Sequence, residues 1–155
     1  MLLLPALLLL CTPAQAKDLG NRLAIGANAH LGSVPALSVR YGLPTGKPAL
    51  NIQVEALAGV RATGGTPADA LAGGRVLYGV VAEDNMNLFL GAGAGLNVAA
   101  GEPAFRVQPV MGADFFMFGL ENLGFTAEWG LNLDLGTPST FATSASIGGG
   151  VHYWF

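Results

Sequence analysis

LGFTAEWGLNLDL (residues 123–135) alternates apolar and polar side chains over its whole length. Successive side chains of a β-strand point to opposite faces of the sheet. The stretch therefore predicts a strand with one apolar face and one polar face. The apolar face carries Leu123, Phe125, Ala127, Trp129, Leu131, Leu133 and Leu135, and the polar face carries Gly124, Thr126, Glu128, Gly130, Asn132 and Asp134.

The same period of two recurs along the chain, as in LNIQVEALAGVR (residues 50–61), where only Leu57 breaks the alternation. Turn-forming Gly, Pro, Asn and Asp residues separate the alternating segments. Segment 71–83 fits least well, because Leu77 and Val81 share the parity of charged residues. Eight strands are predicted, at 22–32, 36–43, 49–61, 71–83, 87–99, 105–117, 123–135 and 141–155.

The composition is unusually apolar for a chain of 155 residues, with 11% charged residues, 23 glycines and a mean hydropathy of +0.50. A soluble domain typically carries about 25% charged residues. Beyond the first residues, no apolar run reaches the roughly 18 residues that a transmembrane helix needs. The net charge is −3 and the basic residues are scattered. Strands in lipid are therefore favoured, and nucleic acid is not an expected partner.

The N-terminus reads as a secretory signal. MLLLPALLLL is an apolar segment, and AQA at 14–16 is a cleavage motif, although no basic residue precedes the leucines. We therefore expect a signal peptide over 1–16 and a barrel domain over 17–155. Cys11 is the single cysteine, so the mature chain is expected to lack disulfide and thiol chemistry.

The charged residues decide which face would meet the lipid. Five arginines and five acids share the parity of the polar faces, which indicates an interior that neutralises itself. Strands can span lipid only as a closed barrel, because no backbone group can remain unpaired there. We therefore predict an all-β, closed, eight-stranded, antiparallel up-and-down transmembrane β-barrel. Its predicted lumen charge network is Arg22, Arg40, Glu55, Arg61, Arg75, Glu83, Arg106, Asp114, Glu128 and Asp134.

GGGVHYWF (residues 148–155) closes the chain. Gly150, Tyr153 and the terminal Phe155 resemble the C-terminal assembly signal of bacterial outer-membrane barrel proteins. Gly148 departs from that pattern, which has a polar residue there. The resemblance implies recognition by the barrel-assembly machinery. At the level of pattern, the whole mature chain is similar to eight-stranded barrels of the OmpA and OmpX kind.

This resemblance implies a location in the bacterial outer membrane, surrounded by outer-membrane lipid, with both termini in the periplasm. It also implies that four connections face outward, and all four are short, which does not favour surface recognition. These connections are 32–36, 62–70, 100–104 and 136–140.

Three functions remain open on the sequence alone. The first is a non-enzymatic structural or subunit role in the envelope, with a lumen filled by side chains and an envelope protein as a candidate partner. The second is a narrow passive channel, because Arg61, Arg75 and Arg106 would give the outer mouth an attraction for anions. The third is a lipid-modifying enzyme at the outer rim.

The enzyme hypothesis depends on residues predicted at a similar height near the rim: His30, Ser33, Asp134 and Ser144. A nucleophile needs an adjacent base within hydrogen-bonding reach, and the sequence alone brings no such pair together. We therefore expect a non-enzyme with His30 as a hydrogen-bonded lumen residue. Neither a cofactor nor a metal is expected, since no two of His, Asp and Glu show ligand spacing on one strand face. GAGAG (91–95) indicates space for long side chains rather than phosphate binding.

Overall fold

Eight antiparallel strands follow one another around a closed barrel in the computed structural model, which describes residues 17–32, 34–47, 50–136 and 140–155. The predicted all-β, eight-stranded closed barrel is therefore confirmed. The predicted signal peptide and Ser33 lie outside the described residues. The strands are β1 (Leu23–Asn28), β2 (Ala36–Gly42), β3 (Ile52–Arg61), β4 (Asp69–Glu83), β5 (Met86–Ala99), β6 (Glu102–Met117), β7 (Leu120–Gly136) and β8 (Thr140–Trp154).

Both described termini lie at one end of the barrel, here called the terminal end. The backbone N–H of Phe155 donates to the carbonyl of Leu23 over 2.8 Å, so the end of the chain seals β8 against β1. The opposite end, here called the distal end, carries the β1–β2, β3–β4, β5–β6 and β7–β8 connections.

β1 ends at Asn28 and not at residue 32 as the alternation predicts. The side-chain oxygen of Asn28 accepts a hydrogen bond from the backbone N–H of His30 over 2.9 Å. Asn side chains that bind the backbone two residues on make tight turns. The chain therefore bends into the lumen, where His30 and Leu31 are buried.

A bulge in β4 explains why segment 71–83 fits the alternation poorly. The register to β5 shifts between Gly79 and Val81. Before the bulge Leu77 faces the lumen and is buried, whereas after it Val81 and Glu83 are exposed. An extra residue in one strand reverses the facing of every residue beyond it. The prediction that Glu83 lines the lumen is therefore wrong.

Buried apolar side chains form three clusters inside the barrel. Leu19, Trp154 and their neighbours form a buried cluster at the terminal end, and Leu31 and its neighbours form another towards the distal end. A third cluster packs inside β4, β5 and β6. The clusters are Leu19, Ala24, Phe116 and Trp154; Leu31, Val34, Ala36, Leu57 and Leu71; and Leu77, Phe89 and Val110.

The outer surface of the barrel is apolar. Large hydrophobic side chains are exposed on every strand, including Leu37, Leu96, Trp129 and Ile147. A set of polar and charged side chains is instead buried inside, among them Arg40, Glu55 and Glu128. In the part of the chain that the structure describes, no helix is long and apolar enough to cross a membrane.

The wall of the barrel is lower on one side at the distal end. β1 has 6 residues and β2 has 7, whereas β7 has 17 and β8 has 15. β1 pairs with β8 between Gly150 and Trp154, and the Ala29 N–H adds one bond to the Gly149 carbonyl. Among the described residues, β8 before Gly149 pairs as a strand only with β7, and Ala29 and His30 lie against it without strand pairing. We call this strand edge, between residues 140–148 and 29–32, the notch.

Candidate functional site

The centre of the lumen is built from three adjacent strands. Arg40 on β2 lies opposite Glu55 on β3, which lies opposite Arg75 on β4. The Nε atom of Arg75 donates to Oε2 of Glu55 over 2.8 Å, and the Nε atom of Arg40 is 3.3 Å from Oε1. Directly opposed residues on one face of a sheet interact, so the register alone places these three charges together.

Both guanidinium groups also reach the opposite wall. Arg40 donates to Oδ1 of Asp114 on β6 over 2.9 Å and to Oε1 of Glu128 on β7 over 3.1 Å. Arg75 donates to Oε2 of Glu128 over 2.6 Å. All five side chains are at most 2% exposed. We call Arg40, Glu55, Arg75, Asp114 and Glu128 the central network.

Neutral side chains complete the hydrogen bonding of the three carboxylates. Thr126 donates to Asp114 over 2.6 Å, and Asn28 donates to Glu128 over 3.3 Å. Ser38 donates to Glu55 and contacts Nε2 of His152 at 2.8 Å. Buried charges are tolerated when they are paired and their remaining lone pairs are satisfied. The arrangement is therefore suited to filling the lumen and joining its walls.

Glycine on β5 provides the space that this packing needs. Gly93 lies opposite Arg75, and a methyl group built on Gly93 would be 2.6 Å from Cγ of that arginine. The steric role expected for GAGAG fits this contact, because the arginine side chain occupies the volume that a larger residue would take.

The other predicted lumen charges lie outside the central network. Arg106 and Asp134 form a separate pair near the distal rim, with contacts of 2.6 Å and 2.7 Å. Arg61 is exposed at the same end and pairs with Asp69, an acid that the sequence analysis did not select. Because both rim arginines have an acidic partner, the distal mouth carries no unbalanced positive charge at these positions.

Arg22 lies at the terminal end and not in the network. Its guanidinium donates to the side chain of Asn122 over 2.7 Å and to the carbonyl of Phe155 over 3.3 Å. Tyr153 and Phe155 face outward, and their rings meet edge to face with centroids 5.1 Å apart. Gly150 faces the lumen opposite Asn28 and Thr126.

The structure gives His30 partners that the sequence analysis did not find. Its Nδ1 atom is 2.9 Å from Oε2 of Glu128, and its Nε2 atom is 3.2 Å from Oγ of Ser146 on β8. Asp134 pairs with Arg106 instead, and Ser144 accepts a hydrogen bond from Asn132.

Two glycines shape the space around this histidine. Methyl groups built on Gly130 and Gly148 would lie 2.7 Å and 2.9 Å from ring carbons of His30. The inward parity of Ser146 was readable from the sequence. The sequence does not show how far along the barrel axis Ser146 lies from His30, because that distance depends on the register with which β8 closes on β1.

Neither the family models, nor the curated proteins, nor the solved structures compared with this chain match it. Within the described residues, no group of three or more His, Cys, Asp or Glu side chains is placed to hold a metal ion.

Proposed function

We propose that this chain is an integral β-barrel protein of the bacterial outer membrane, with a sealed lumen and a structural or subunit role in the envelope. The observation that carries the proposal is the inversion of polarity across the barrel wall. The central network is buried, while large apolar side chains cover the outside. A soluble barrel would place its apolar face inside and its polar face in water.

The lipid face and the lumen differ in the free energy that a charged side chain costs there. A charged side chain on the lipid face of a barrel costs about 2–4 kcal/mol at the bilayer midplane. Inside the lumen, Arg40 and Arg75 instead meet three carboxylates within hydrogen-bonding distance. Apolar residues such as Leu37 and Ile147 gain from contact with lipid in place of water. The paired charges inside and the apolar side chains outside therefore both favour a barrel surrounded by lipid.

The end of the chain supports the proposed route of assembly. Phe155 and Tyr153 face outward beside the β1–β8 seam, where the barrel closes. We propose that this aromatic pair, with Gly150, is read by the barrel-assembly machinery. Both termini would then lie in the periplasm and the distal end would face outward. An envelope protein remains a proposed partner.

The lumen contacts favour a sealed barrel over a channel. The terminal end is filled by Leu19, Phe116 and Trp154, and the distal side by Leu31 and Val34. An eight-stranded barrel has an interior just wide enough for side chains to fill. Since both rim arginines are paired with acids, the specific argument for an anion-attracting mouth is also weaker than the sequence suggested.

Conductance of the folded protein in planar bilayers tests the proposal. A sealed lumen predicts no unitary current steps above those of a detergent blank, with a heat-denatured sample as second control. Discrete steps that scale with salt concentration would contradict the sealed lumen and support the narrow passive channel.

A further inference from the structure

A hydroxyl, an imidazole and a carboxylate from three different parts of the chain meet inside the barrel beside the notch: Ser146 on β8, His30 in the β1–β2 connection and Glu128 on β7. We propose that Ser146, His30 and Glu128 form an ester-cleaving site, with Ser146 as nucleophile, His30 as general base and Glu128 as positioning residue. The substrate class is a carboxylic ester of a lipid acyl chain. This inference adds an activity to the proposed function, and it rests on that function for access to lipid.

The serine, the histidine and the glutamate lie in the order that nucleophilic catalysis requires. Oγ of Ser146 is 3.2 Å from Nε2 of His30, and Nδ1 of the same ring is 2.9 Å from Oε2 of Glu128. With the ring proton on Nδ1, Nε2 is available to accept the serine proton. The Nδ1 contact is close but not aligned as a hydrogen bond. Such contacts often tighten only when substrate is bound.

Residues far apart in sequence hold the three groups in place. His30 follows the Asn28 turn into the lumen, and Arg40 and Arg75 hold the carboxylate of Glu128, Arg75 through the same Oε2 atom that faces His30. A base held by a third group is the general arrangement of Ser–His–acid sites on unrelated folds.

An amide donor lies beside the nucleophile. Nε2 of Gln108 on β6 is 3.3 Å from Oγ of Ser146, and this side chain is fully buried. Its Oε1 atom has no hydrogen-bond partner among the described residues. The same nitrogen, Nε2, donates to Oδ1 of Asn132 over 2.6 Å and to the carbonyl of His30 over 3.1 Å, so Gln108 holds the nucleophile and the base in one hydrogen-bond network.

The nucleophile is accessible at the notch. Ser146 is partly exposed, and Ser144, two residues nearer the distal end, is exposed. Two large outward residues near the notch are apolar, Leu37 at 63% and Ile147 at 86% exposed. An acyl chain that lies against this outer surface would therefore have its ester group near the notch. The proposed substrate class follows from that placement.

The proposed reaction is a hydrolysis in two steps. Oγ of Ser146 bonds to the ester carbonyl carbon while its proton passes to Nε2 of His30. The bond from that carbon to the alcohol oxygen then breaks, and the leaving oxygen takes the proton from Nε2. Water repeats the sequence on the acyl-serine, so that a fatty acid is released and the serine hydroxyl is restored.

The second serine–histidine contact does not meet the same requirements. Ser38 is fully buried, and it contacts the same Nε2 atom of His152 that lies 3.6 Å from Glu55. One ring nitrogen cannot face both the nucleophile and the orienting acid. Ser38 and His152 are therefore assigned to the packing of the lumen.

Labelling with a fluorophosphonate, followed by peptide mapping, tests the site without a known substrate. The refolded protein is used in vesicles of phosphatidylethanolamine and phosphatidylglycerol, and fatty acid release is measured in parallel. We expect labelling at Ser146 and a rate of release that falls by a factor of about 10⁴ or more in Ser146→Ala. Ser144→Ala is the matched control and should retain both signals.

Three further variants examine the partners of Ser146. His30→Gln should lose labelling, and added imidazole should restore part of it. Glu128→Asp should recover labelling that Glu128→Gln loses, at equal folded fraction. Each sample is checked by its boiled and unboiled gel mobility, so that failure to form a barrel is distinguished from failure of the site. Folded protein without labelling or fatty acid release would overturn the site. Hydrolysis of a short soluble ester alone would overturn the lipid substrate.

Discussion

Arg40 on β2 crosses the lumen to Asp114 on β6, with Nη1 2.9 Å from Oδ1 and both side chains buried. These strands are not neighbours in the barrel, so no backbone hydrogen bond connects them. The ion pair therefore joins walls that the sheet leaves separate. Glu128 extends the same connection to β7 and to Arg75.

Replacing Arg40 with Met should lower the free energy of unfolding by about 3–5 kcal/mol, because the buried carboxylates would lose a partner. Arg61→Met is the control. It breaks an exposed pair with Asp69 and should cost about 1 kcal/mol or less. Urea unfolding in lipid vesicles, followed by the fluorescence of Trp129 and Trp154, measures both. Equal effects of the two substitutions would argue against a buried network.

Gly93→Val should destabilise the barrel by about 1–3 kcal/mol, since the added side chain would enter the space of Arg75. Gly64→Ala is the matched control. Nothing lies within 4 Å of the position a methyl group would take at Gly64. Its effect should stay within about 0.5 kcal/mol by the same unfolding measurement. A neutral Gly93→Val would show that the lumen has free volume there.

The alternation in residues 123–135 predicts the fold because each side chain of β7 meets either the lumen or the outside. The same reasoning assigns Arg40, Glu55, Arg75, Asp114 and Glu128 to one interior. It fails at Glu83, where the bulge after Gly79 reverses the facing of the strand. The sequence shows that Val81 departs from the alternation, but it does not show at which residue the strand carries the bulge.

The alternation of apolar and polar residues does not predict the contact between His30 and Ser146. These residues are 116 positions apart, and their heights are set by the stagger with which the barrel closes. The inward turn after Asn28 is a second cause, since it moves His30 away from the wall position that continued alternation would give it. Closure register and local turn chemistry together decide which serine meets the histidine.

Deleting Phe155 should reduce the amount of folded protein in the outer membrane without changing synthesis, because the proposed assembly signal and the bond to Leu23 are both lost. Phe118→Ala is a suitable control, since Phe118 is an aromatic residue 89% exposed in the β6–β7 turn. Immunoblots of membrane fractions provide the measurement. Normal membrane levels of the truncated form would remove the signal hypothesis.

Single-cysteine labelling tests the proposed topology, and the predicted mature chain contains no other cysteine. A membrane-impermeant maleimide added to intact cells should label Thr66→Cys in the distal β3–β4 connection. It should not label Asn85→Cys, which lies in the β4–β5 turn at the terminal end. The opposite pattern would reverse the proposed orientation.

Gel mobility of membrane fractions, boiled against unboiled, is the decisive measurement for a closed barrel in the outer membrane. Closed barrels resist detergent until heated, so we predict a heat-dependent shift for protein recovered in the outer-membrane fraction. Protein that is soluble in periplasmic extract and shows no shift would exclude a membrane barrel, because its apolar faces would then have to pack against each other.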